Sequence, residues 1–157
     1  ALVAAPVAAR GQPGRDLAEL AAHLLGGERG LAQAALDTTP VPATATARLL
    51  GGARSAALVI DVRAPASALD DAVTEVKALL AKLGQDGPSD PSLEFARTKK
   101  QRAEDDAAFD PRSRLVKLWL GDPARAAAPS PARAAMQSFF ATTFRDAALT
   151  VVEARHK

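Results

Sequence analysis

Side chains able to do chemistry are scarce in this sequence. The 157 residues include two histidines, His23 and His156, and neither cysteine nor tyrosine. Without cysteine there is no disulfide, no thiolate nucleophile and no Cys-ligated metal. A catalytic zinc needs several N, S or O ligands converging, usually with a His pair at helical spacing. His23 is followed by Leu24-Leu25-Gly26-Gly27, so neither H-E-x-x-H nor its inverse H-x-x-E-H can be written. A Ser-His-Asp triad would depend on one of the same two imidazoles, and Ser55, Ser67 and Ser138 lack a nucleophile-elbow context. Asp70-Asp71 and Asp105-Asp106 are neighbours in sequence. On a helix such neighbours point about 100° apart and share no proton. Asp70 suits instead the first turn of a helix, where negative charge is favoured. Gly26-Gly27 and Gly51-Gly52 lack the spacings that cradle phosphates and read as a helix end and a hairpin. His23 reads as a packing or surface histidine and His156 as tail. The expectation is that this chain holds no catalytic, cofactor-binding or metal-ligating residue.

Charge offers no sharper lead. Twenty Lys and Arg stand against eighteen Asp and Glu, a net of +2. The densest basic run, Arg97-Thr98-Lys99-Lys100-Gln101-Arg102, is followed at once by Glu104-Asp105-Asp106, with Arg102 and Asp106 at i,i+4. It reads as a solvated helix face, and no nucleic-acid partner is expected. No apolar run approaches the roughly 20 residues of a membrane helix, and no membrane partner is expected either. Phe139-Phe140-x-x-x-Phe144 has the spacing of a helix core rather than of a binding platform. Hydrophobic residues make up 48%, enough for a core, but 38 of the 157 residues are Ala. Relatively few Leu, Val, Ile and Phe must therefore build that core.

The elements that would position these residues follow from periodicity. Leu2 to Ala8 is apolar and bounded by Gly and Pro, which suits a strand. Asp16 with Glu19 three residues on reads as a capping box opening a helix, along which Leu17, Leu20, Ala21 and Leu24 form one stripe. Gly26-Gly27 ends it, and Glu28 to Leu36 reads as a shorter helix with Leu31, Ala35 and Leu36 inward. Beyond Pro40-Val41-Pro42 the chain alternates, with Ala43, Ala45, Ala47 and Leu49 on one side and Thr44, Thr46 and Arg48 on the other. A turn at Gly51-Gly52-Ala53-Arg54 leads to a return strand with Leu58, Ile60 and Val62 inward and Val59, Asp61 and Arg63 outward. Ser67 is positioned to cap a long helix striped by Leu69, Val73, Val76, Leu80 and Leu83 and stopped from Gly84 to Pro88. Asp90 as N-cap and Pro91 open the next helix, carrying Leu93, Ala96, Ala103 and Ala107. Asp110-Pro111 interrupts it, and Leu115, Leu118 and Trp119 mark another. Residues 122 to 131 read as a Pro/Ala linker. Ser130-Pro131 opens a last helix, Arg145-Asp146 turns, and Ala147 to Ala154 reads as a closing strand. The order β-α-α-β-β-α-α-α-α-β predicts one α+β domain over residues 1–157. Its architecture is a two-layer sandwich, an about four-stranded, mostly antiparallel sheet with helices on one face. The last strand is expected to pair with an early one. The abrupt first strand suggests a fragment of a longer chain.

This order and its local wording resemble the insulinase/pitrilysin/mitochondrial-processing-peptidase group of zinc metallopeptidases, and within it the non-catalytic, inactive C-terminal-type domain. Ala1 to Ala9 looks like that domain's opening strand. LAELAAHLLGGERG (17–30) is similar to its helix running into a Leu-Gly-Gly turn. SAALVIDVRAPASALDDAVTEVKALLAKL (55–83) resembles its strand, Pro and long helix, PSDPSLEFARTKKQR (88–102) its next helix start, and 130–154 its last helix and Val-Val strand. The match covers nearly the whole chain, and its strength lies in the order of the motifs. Such domains often supply an Arg and a Tyr that grip substrate before the second strand; around Leu36 to Ala47 there is no Tyr, and Arg48 stands outside the motif.

The resemblance implies a metallopeptidase half-domain fold and a non-catalytic role as part of a substrate chamber. The zinc and its glutamate base would belong to a catalytic zinc-peptidase domain in the same or another chain, with no cofactor in this one. An extended peptide could add along an exposed sheet edge. The Ala/Arg-rich composition suggests a bacterial source, and the lack of Cys suits cytoplasm or periplasm alike. The alternative is a stand-alone protein- or peptide-interaction module of the same fold. A nucleic-acid-binding domain using Arg97 to Arg102 is a third, weaker reading.

Overall fold

The computed structural model describes residues 1–27, 29–40, 42–52, 54–119, 131–145 and 148–154. In chain order the elements are β1 (Leu2–Val7), α1 (Arg15–Leu25), α2 (Leu31–Leu36), β2 (Thr44–Gly51), β3 (Ala56–Arg63), α3 (Leu69–Asp86), α4 (Asp90–Phe109), α5 (Pro111–Trp119), α6 (Arg133–Thr143) and β4 (Thr150–Val152). This is the predicted order. The strands form one antiparallel sheet, β2-β3-β1-β4, so the last strand does pair with the first. Helices α1 and α2 pack on β2, α3 on β3 and α6 on β1, giving the two-layer α+β sandwich.

Register explains which residues face the helices. Val3, Ala5, Leu58, Ile60, Val62 and Ala45 line one face and are buried with Leu20, Leu25 and Leu36 of α1 and α2. Val76 and Leu80 of α3 and Met136 and Phe140 of α6 complete that core. The opposite face carries Leu2, Ala4, Pro6, Leu50, Ala57, Val59 and Val152 with Arg48, Asp61 and Arg63. Val59 departs from the expected half-buried alternation. It lies on the outward face yet is only 5% exposed, because its register neighbours Ala4 and Arg48 flank it on both sides.

Backbone pairing assigns each edge. Val62 donates its N–H to the Ala1 carbonyl (2.8 Å), so alternate residues of β3 and β1 exchange bonds at 62/1, 60/3, 58/5 and 56/7. Pro6, in the opposite phase, turns its nitrogen away from β3, towards the side where β4 has already stopped at Ala4↔Thr150. A residue without an N–H therefore costs the ladder nothing there. By the same alternation Ala45, Ala47 and Leu49 point their backbone groups away from β3, to the open side of β2.

Several predicted boundaries move. The cap of α1 is Gly14 at φ 86°, not Asp16, and Glu19 accepts from Arg15 Nε at 2.9 Å instead of reaching back to the cap amide. Arg15 is buried and also donates to the Ala8 carbonyl, which fixes the β1–α1 turn in place of a capping box. Helix α2 starts at Leu31, after the Gly30 cap, rather than at Glu28, and buries Ala32 and Leu36. The residue before α3 is Ala68 without a side-chain cap, so Ser67 does not cap it. Helix α3 ends inside the predicted Gly84 to Pro88 stretch: it runs through Gly84 to Asp86, and Gly87, at a φ of 74°, closes the turn. Ser89, one residue before Asp90, caps α4, its hydroxyl accepting from Ser92 N–H at 3.3 Å. Ala103 is exposed and Ala107 only partly buried, because α4 buries only its first half, at Leu93 and Ala96. The closing strand is three residues, not eight, since Ala148 N–H is still bonded to Arg145 in the preceding turn. The predicted linker lies, but for residue 131, outside the described residues.

Candidate functional site

No three of His, Asp and Glu converge among the described residues. His156 lies outside them. His23 sits half-buried in the last turn of α1. Asp70 and Asp71 lie in the first turn of α3, as the macrodipole argument has it for Asp70. Phe139, Phe140 and Phe144 do meet, with ring centroids 5.6 to 6.3 Å apart, and Phe140 and Phe144 are buried: a core cluster, as the spacing implied. In the basic run, Lys100 pairs with Glu104 and Gln101 bonds Asp105 at 2.9 Å. The expected Arg102–Asp106 pair is not formed; the i,i+4 contacts of this run are Lys100–Glu104 and Gln101–Asp105.

Gln33, which the sequence left unremarked, and Gly26, read from it only as a helix end, organise the region around β2. The Gln33 side chain of α2 lies against the strand's outer edge, its Oε1 accepting from Ala45 N–H (2.8 Å) and its Nε2 donating to the Ala43 carbonyl (3.2 Å). One side-chain amide thus imitates a neighbouring strand and occupies an edge that would otherwise invite pairing. Gly26 guards the next stretch: a Cβ there would stand 2.5 Å from the Ala47 carbonyl oxygen, so only glycine fits. Lys99, placed by sequence in a solvated face, reaches across to donate to the Gly26 carbonyl at 2.6 Å. That carbonyl belongs to the end of α1, where a cation is favoured.

These contacts bound a cleft of about 330 Å³ between α1, β2 and α4, lined by Glu19, Ala22, His23, Gly26, Gly27, Ala47, Arg48, Leu49 and Lys99. Burial holds the His23 imidazole below its ordinary value of 6.5, and Lys99 and Lys100 push the same way against the weaker pull of Glu19 and Glu104. A second hollow of about 350 Å³ lies at the end of β1, against Phe139 and Thr143 of α6. The helix-free face of the sheet is the third feature, with Leu50 44% and Val152 55% exposed. None of the three assembles a nucleophile with a base.

No family model matches the sequence, and no curated protein is significantly similar to it. Solved structures do match. The "inactive peptidase domain of a putative zinc protease" from Bordetella parapertussis superposes with a TM-score of 0.74 at 22% identity, over 95% of this chain and 88% of that one. A protease from Helicobacter pylori gives 0.76 at 15% identity, covering 94% of this chain but 39% of that chain. The peptidase M16 inactive domain from Pseudomonas fluorescens gives 0.71 at 12%, over 98% and 42%. At such identities the likeness is one of fold. The fold is that of inactive M16-type peptidase domains, matching the resemblance carried by the order of the sequence motifs. This unit spans about two-fifths of the longer two chains.

Proposed function

We propose that the chain is a non-catalytic domain of an insulinase-like zinc peptidase, serving as one wall of a substrate chamber closed by a zinc-bearing partner domain. The observation that carries this reading is the end-to-end match to an inactive peptidase domain, 95% of one chain on 88% of the other. The scarcity of possible ligands agrees with it: two histidines and no cysteine in the sequence. In this role the domain supplies shape. Its helix layer keeps the sheet rigid, and the helix-free face with Leu50, Val59 and Val152 is the wall turned to the partner or the substrate. An extended peptide would add at β4, since Gln33 and Gly26 already cover much of the β2 edge.

The test is hydrolysis. The purified chain, given zinc and a mixture of unstructured peptides, is expected to cleave none of them. Mixed with a zinc-peptidase domain encoded in the same or a neighbouring gene and bearing H-x-x-E-H, it should co-elute and raise that domain's turnover. Zinc-dependent cleavage by this chain alone that survives repurification would overturn the proposal, as would failure to associate with any such domain.

A further inference from the structure

The cleft at the end of α1 has a use that the chamber role does not require. Three elements bring basic side chains to it: His23 from α1, Arg48 from β2 and Lys99 from α4. Among the described residues of its lining the one acid is Glu19, already engaged by Arg15 at 2.9 Å and 3.9 Å from Lys100. Lys100 is in turn paired with Glu104. Lys99 is different. It is half-buried, and its bond is to a neutral carbonyl, that of Gly26. An ammonium carries three donors, so two remain for a ligand. Gly26 and Gly27 leave the floor of the cleft without side chains beside that ammonium.

We propose that this cleft is a carboxylate-binding site, in which Lys99 supplies the charge and the His23 imidazole, on taking up a proton, a second donor. A carboxylate there gives Lys99 an anionic acceptor beside the neutral Gly26 carbonyl and accepts from both elements at once. Empty, the site keeps His23 neutral, because burial and the two lysines disfavour its charge. Occupied, the ligand's negative charge reverses the balance, and a proton from solvent settles on the ring. Glu19 of α1 and Glu104 of α4 already pull in that direction, Lys99 and Lys100 of α4 oppose it, and Arg48 of β2 is the further charged group in the lining. Binding and protonation are therefore linked: the carboxylate binds more tightly as pH falls through the range in which His23 takes up its proton, until the ligand itself is protonated. The ligand is either a free small carboxylate or an acidic side chain of a polypeptide. The inference rests on the cleft alone and stands whether or not a peptidase partner exists.

The test follows the two imidazoles of the isotope-labelled chain by NMR, with His156 as internal reference and chloride holding ionic strength constant. The probes are acetate, a capped hexapeptide containing one Glu, and the same peptide with Gln. Saturating acetate or Glu peptide is expected to raise the His23 pKa by about one unit, tenfold in proton affinity, and to leave His156 in place. A response to acetate assigns the site to carboxylates in general; a response to the Glu peptide alone assigns it to polypeptides. Lys99→Met should lower affinity at least about tenfold, and Lys99→Arg should keep most of it. The wild-type titration needs no variant to be decisive. Equal shifts at both histidines, equal response to the Gln peptide, or no response to either carboxylate would overturn the proposal.

Discussion

At the scale of single residues, this domain spends polar side chains on its own backbone. Gln33 satisfies one N–H and one carbonyl of β2, and Arg15, buried, ties the Ala8 carbonyl to Glu19. Removing the first should expose what it hides. Gln33→Leu keeps the size of the side chain but leaves the Ala45 N–H and the Ala43 carbonyl without a partner. The expected loss is about 1–3 kcal/mol in urea unfolding, together with concentration-dependent association through the bared edge. An unchanged midpoint and a strictly monomeric protein would show that water serves the edge equally well. Gln33 does not declare its role in the sequence, because its partners lie 10 and 12 positions away on a segment brought near by folding.

Among the elements, α3 and α6 meet most closely where a helix breaker sits inside a helix. A Cβ on Gly84 would stand 3.0 Å from the Ala141 Cα, so the two backbones touch with nothing between them. Two terms oppose each other on substitution. Ala gains about 1 kcal/mol of helix propensity over Gly, while pressing a methyl against backbone costs about 1–3 kcal/mol. Gly84→Ala should therefore lie between neutral and about 2 kcal/mol destabilising. Gly84→Val, with lower propensity and more bulk, should lose at least about 2 kcal/mol, measured by the same urea titration. If Val is tolerated as well as Ala, the helices are free to separate and the contact is not specific. This glycine also shows where legibility ends. The stripe Leu69, Val73, Val76, Leu80, Leu83 was readable because its period is local, and so were the alternation of β2 and β3 and the element order. Gly84 read only as the first residue of the stretch that stops the helix, because its packing reason lies on another helix. Caps shifted by one or two residues at Gly14, Ala68 and Ser89 because the acid or hydroxyl nearest in sequence is not always the one in geometry to accept. For the candidate site, the two histidines and the basic run were visible. That Lys99 would leave the run and cross to Gly26 was not, since 73 positions separate them.

For the molecule as a whole, the strands are unequal in value. β1 is flanked by β3 and β4 and carries Val3 and Ala5 into the core, whereas β4 is a three-residue edge. Deleting residues 148–157 removes, among the described residues, partly buried apolar side chains such as Leu149 and Val151 and no fully buried one, and should cost about 2–3 kcal/mol while leaving a cooperative transition. Deleting residues 1–9 takes out an interior strand and should leave no cooperative transition at all. Circular dichroism during thermal unfolding separates the two outcomes. Equal effects would mean that the sheet is not the organising layer and that the helices hold together without it.

The pairing of Leu2 with Val152 joins the first strand to the last at their outer tips. Everything between them is a loop of polypeptide that departs from and returns to a single doorstep on the surface. Such a unit can be spliced into a host protein like a clause in parentheses, the surrounding chain bridging the gap of about 5.5 Å between the two α-carbons without learning what lies inside. The same geometry lets the two tips be stitched together and the ring reopened at the exposed joint between α4 and α5, a rearrangement that the topology permits without crossing a single strand.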